Sequence, residues 1–178
     1  RAGELRRFVD MADGEILIGP RIDARRVEFR NVNFNGVKIR CSDELACELR
    51  FIDCAGLENC NIQADRILFI RAKTIQNTDL TARELTLEDC WALQGTGSTG
   101  VAVAGTVRVS ARDTNPRTKL RGLDFKGGGG TLHLDRASAR ECAIRGKFDT
   151  VRALHSDFAD CRITAAASRW TEENTTHK

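Results

Sequence analysis

Apolar residues in this chain come in doublets, two of them around one polar residue. Val27–Phe29, Val32–Phe34 and Val37–Ile39 are such doublets, spaced five residues apart. The spacing returns in Leu132–Leu134, Ala137–Ala139 and Cys142–Ile144, and in Val151–Ala153, Ser156–Phe158 and Cys161–Ile163. Leu49–Phe51, Cys54–Gly56, Cys60–Ile62 and Ile67–Phe69, Ala72–Thr74, Thr78–Leu80 match each other with one extra residue before the third doublet. Alternation this brief predicts very short strands, each with one inward and one outward side.

The triplets begin at Val27, Leu49, Ile67, Leu85, Val107, Leu132 and Val151, in steps of 22, 18, 18, 22, 25 and 19, after a weaker turn at Ile16–Ile18. A pattern that recurs about every 20 residues predicts stacked coils. Stacking sorts side chains by size. The first column is large and aliphatic throughout, and the next reads Phe29, Phe51, Phe69, Leu87, Val109, Leu134, Ala153. The second doublets lead with Val32, Cys54, Ala72, Cys90, Ala137, Ser156, and the third with Val37, Cys60, Thr78, Cys142, Cys161. Cys54, Cys60, Cys90, Cys142 and Cys161 therefore read as small hydrophobes in a coil wall. The odd total of seven cysteines is a poor disulfide framework and predicts a reducing intracellular compartment, a bacterial cytoplasm or the cytosol of a host cell.

VNFNG (32–36), TDLTA (78–82), LDFKG (123–127) and SDFAD (156–160) resemble the units of the pentapeptide-repeat family, while RELTL (83–87) fits only in its central leucine. The resemblance covers roughly residues 27–165 and implies a right-handed quadrilateral β-helix, although the coil steps wander more than the family's. The expected fold is all-β, a right-handed parallel β-helix (solenoid) of about seven to eight coils over 16–168. A short N-terminal capping helix is expected within 1–15, where Leu5, Phe8, Val9 and Met11 are amphipathic. Residues 169–178 form a C-terminal cap and tail, with Trp170 covering the last coil and TEENTTHK disordered. Irregular insertions are expected near 94–106, as a loop with an extra strand, and near 111–130, where the Thr118–Leu120 doublet around Lys119 reads as part of the wall and Gly127–Gly130 as a flexible spacer.

Charge and chemistry narrow the function. Twenty-eight Lys and Arg against 25 Asp and Glu leave a net of +3, which suits neither nucleic acid nor the acidic DNA-mimic role of some pentapeptide-repeat proteins. No apolar run reaches membrane-spanning length. Cys41, Cys47, Cys54 and Cys60 lack the close pairs of a zinc site, and no histidine falls in register with a nucleophile. Neither a metal nor a cofactor is expected. The outward column Asn31, Asp53, Arg71, Asp89, Ala111, Arg136, His155 alternates in sign at Asp53, Arg71 and Asp89, as a cross-coil salt ladder does and a catalytic carboxylate pair does not.

The expected function is a non-catalytic protein-binding or scaffold module, monomeric or dimeric, carried by a larger bacterial protein. Type III secretion effectors contain β-helices of this kind. Arg112, Arg117, Lys119, Arg121 and Lys126 are the candidate contacts for an acidic partner surface. The alternatives are a filament-forming structural rod and, more distantly, a carbohydrate-active enzyme.

Overall fold

The computed structural model describes residues 11–18, 26–41, 46–112 and 116–178. They wind into a parallel β-solenoid of about eight turns with no helix. Each complete turn supplies three strand segments, here called the first, second and third faces. The column of large aliphatic residues lies on the first face. Val27, Leu49, Ile67, Leu85, Val107, Leu132 and Val151 pair in unbroken register, and Trp170 extends the column. One inward position along, the Phe29, Phe51 and Phe69 rings stack at 5.1 and 4.9 Å. Such offset stacks add to the burial energy of rings shut away from water.

A left-handed residue turns the chain at most corners. Asn31, Asp53, Arg71, Asp89, Arg136, His155 and Asn174 hold φ between 48° and 55° before the second face, and Asn59, Asn77, Glu141 and Asp160 do so before the third. Asn and Asp tolerate this conformation better than other side chains with a Cβ. The small residue after each corner points inward, and where it carries a donor it bonds the carbonyl two residues back. Cys60 Sγ donates to Glu58 O at 3.2 Å, Cys142 Sγ to Arg140 O at 3.2 Å, Thr78 Oγ1 to Gln76 O at 3.0 Å and Ser156 Oγ to Leu154 O at 2.8 Å. Cysteine, threonine and serine thus alternate in these columns because each is small and satisfies a carbonyl that the corner strands.

The second face departs from expectation. Phe34 stacks on Leu57, Ile75 and Leu93, so Gly56 and Thr74 are not inward partners of Cys54 and Ala72. The extra residue of these turns (Ala55, Lys73, Trp91) sits just after the corner, which shifts the inward position by one.

The insertion near 94–106 holds no extra strand. Val101 and Val103 are the third face of their turn, paired with Leu80 and Ala82 on one side and Phe125 and Gly127 on the other. Residues 95–98 bulge out between Gln94 and Thr99. Most of the 111–130 stretch is wall as well, since Thr118–Gly128 is one strand. Gly127 and Gly130 are sites of close approach instead of parts of a spacer. A Cβ on Gly127 would lie 2.5 Å from the Phe148 ring, and one on Gly130, at φ +74°, 2.4 Å from Gly105 O. Phe148 is buried over a neighbour without a side chain.

The expected capping helix is absent from the described residues. Residues 1–10, with Leu5, Phe8 and Val9, lie outside them, and Met11–Ile18 is a strand paired with Asn33–Cys41, because the Ile16/Ile18 alternation continues the third face. The tail is ordered. Ala166–Glu173 and Thr176–His177 make the last turn, where the His177 ring lies on Phe158 at 5.1 Å. Glu172 takes the register position of Ala153, so a carboxylate stands where the apolar column would continue. A charge at an inward register position deters further strand addition.

Candidate docking surface

Four of the five wall cysteines are buried. Burial pushes the Cys90 thiol up to about 12. Cys161 is half-exposed, because no described strand covers Arg162–Ile163 from the far side. The neighbouring Cys142 thiol draws the Cys161 thiol below its ordinary range. Cys41 and Cys47 are joined as a disulfide, with Cα atoms 6.3 Å apart, although the odd set of seven cysteines reads as a poor disulfide framework. Cys41 ends one face and Cys47 stands just before the next, so the turn brings together residues that sequence spacing alone did not pair.

Most outward charge is paired across turns. Arg26, Glu48, Arg66 and Glu84 alternate in one ladder on the first face, with Arg26–Glu48 at 2.9 Å and Arg66–Glu84 at 3.1 Å. The expected Asp53–Arg71–Asp89 ladder forms only in its first rung. Arg71 makes a two-pronged contact with Asp53 at 2.7 and 2.8 Å, which holds the Asp53 carboxyl below the usual range, while Asp89 binds Arg112 at 2.8 Å. Arg83 grips Asp65 in the same way, at 2.8 and 3.1 Å. Each of these carboxylates is engaged by arginine, and no group of three His, Cys, Asp or Glu poised for a metal occurs among the described residues. No helix in the same residues is long and apolar enough to cross a membrane.

The five candidate contact residues separate. Arg112 is tied to Asp89 at a corner. Lys126 stands on the third face, in a row with Ala102 and Arg145. Arg117, Lys119 and Arg121 gather on the second face. There Arg117 pairs with Asp157, Arg121 pairs with Glu141 at 3.0 Å, and the Lys119 ammonium lies 5.3 Å from the centre of the Trp91 ring. Trp91 is 56% exposed, although apolar side chains of its size are normally covered. The sequence reading passed over it. Its signal was an aromatic residue in the extra position that Ala55 and Lys73 fill in the preceding turns.

No family model matches the chain, and neither does any curated protein or solved structure.

Proposed function

We propose that this rod is a non-catalytic docking module for a protein partner. The observation that carries the reading is the exposed Trp91 with Lys119 over its ring and Arg121 two residues further along the strand. Tryptophan and arginine are the residue types most often found at the energetic centre of protein interfaces, where a partner strips water from them. The stacked turns hold this patch on a stiff scaffold, which lowers the entropy lost on binding. Lys119, whose ammonium contacts the Trp91 ring instead of a carboxylate, suits an acidic group on the partner. The wider reading is a pentapeptide-repeat-like right-handed coil carried by an effector-like bacterial protein. The doublet spacing and the Asn and Asp corners support it.

A filament is the weaker reading, because Glu172, Trp170 and His177 dress the last turn with polar and aromatic groups. Light scattering across a wide concentration range tests this directly: a constant monomer or dimer mass is expected, and growth into filaments refutes the docking module. Binding is tested by retention of one partner at fixed stoichiometry. Trp91→Ser and Lys119→Glu should abolish that retention while leaving the far-UV spectrum unchanged. Unchanged retention in both variants refutes the assigned surface.

A further inference from the structure

The outward central ladder of the first face runs Glu28, Arg50, Leu68, Thr86, Arg108, His133, Arg152, Thr171. Its first rungs pair opposite charges, with Arg50 at 3.6 Å from Glu28. Its later rungs do the reverse. Arg108, His133 and Arg152 are consecutive, and no described carboxylate pairs with either arginine. The two arginines stand two turns apart with the imidazole between them, so both oppose any charge that His133 acquires in the free protein. The flanks do not relieve it. On one side lie Thr106, Thr131 and Thr150; on the other lie Ser110, Asp135 and Leu154. Asp135 is the one carboxylate among these flanking positions, and it faces His155 Nδ1 at 3.4 Å. His133 Nε2 is buried and has no hydrogen-bond partner.

We propose that the Arg108–His133–Arg152 ladder is a binding site for a linear chain of linked phosphates. Arginine forks are matched to phosphate oxygens. Three rungs at about 4.8 Å per turn place the outer Cα atoms roughly 10 Å apart, so a linear chain of phosphates can follow the ladder and meet each rung in turn. A chain that puts negative charge opposite each rung neutralises all three positions. The six flanking positions carry no aromatic ring on which a base could stack, which favours a bare oligophosphate over a nucleic-acid strand. The neutral threonine row leaves room for its oxygens without repulsion. The site stands whether or not the second face docks a protein.

The groups facing His133 are Arg108 and Arg152 on adjacent turns and Asp135 on its own strand. Burial and the two arginines push the imidazole below its ordinary range, against a smaller opposite pull from Asp135. A bound polyanion reverses the sign of its surroundings and favours the imidazolium, so binding takes up a proton. Affinity must then rise as pH falls from about 8 toward about 6.

Calorimetric titration of the whole chain with inorganic tripolyphosphate at low salt provides the test. Saturable binding is expected, weakened about tenfold or more in Arg108→Gln/Arg152→Gln. The variant pair Arg26→Gln/Arg66→Gln, in the neighbouring paired ladder, should change it less than about twofold. His133→Asn should flatten the pH response. Unchanged far-UV spectra and melting temperatures show that the variants fold. Three results overturn the proposal: no saturable binding; equal weakening in both double variants, which marks diffuse surface charge; or orthophosphate binding as tightly as tripolyphosphate. Tighter binding of a single-stranded oligonucleotide assigns the ladder to nucleic acid and also overturns it.

Discussion

Replacing Phe51 by alanine tests the stacked core most directly. Phe51 is fully buried, with the Phe29 ring on one side, Phe69 on the other and Phe34 edge-on at 6.3 Å. Truncating a buried Phe costs about 3–5 kcal/mol, the larger values where the surroundings cannot close over the hole. Closure is hindered here, because strand ladders above and below hold the turns at their spacing. The expected loss is therefore near the upper end of that range, out of a total stability of roughly 5–15 kcal/mol. For a chain of this size it corresponds to a fall in melting temperature on the order of 10 °C. Urea titration followed by far-UV circular dichroism measures it. Phe51→Leu should lose less than half as much, because Leu87 already continues the Phe69 column. Thr86→Ala, at an outward position, should stay within about 0.5 kcal/mol. A Phe51→Ala cost below about 1 kcal/mol would refute the stacked-core argument.

Gly127→Ala drives a methyl into the Phe148 ring and toward the Lys147 carbonyl oxygen, 2.8 Å from the added carbon, and should cost about 1–3 kcal/mol in the same titration, with Phe148→Leu in the double variant recovering only the part due to the ring. Alkylation read by mass spectrometry should count five thiols in the unfolded, unreduced chain and seven after reduction. In the native chain Cys161 should react first, and Cys90, with its thiol pushed up to about 12, should lag far behind; comparable rates would contradict the buried wall. At the Asn77 corner, φ 48°, valine should destabilise by about 1–2 kcal/mol and glycine hardly at all, and equal melts for the two would remove the left-handed corner from the account.

Residue order alone determined the coil and two of its three faces. Side chains of matched size recur at the same phase of each turn, because neighbouring turns must fill one shared interior, and Val27 through Val151 or Ile39 through Ile163 show this without coordinates. Ile16 and Ile18 carried the strand signal as well, and the strand they lie in begins at Met11. Tertiary structure decided the rest. A single extra residue after a corner moved the inward position to Leu57, Ile75 and Leu93, and only contact with Phe34 in the adjacent turn reveals that shift. Gly127 reads as a flexible spacer until Phe148 is seen to occupy the space its missing side chain leaves. Trp91 meets Lys119, Cys41 meets Cys47, and Arg108 meets His133 and Arg152 through the path length of each turn. Local periodicity states which way a side chain points. Which side chains become neighbours depends on how many residues each turn takes to come round, and that number varies along this chain.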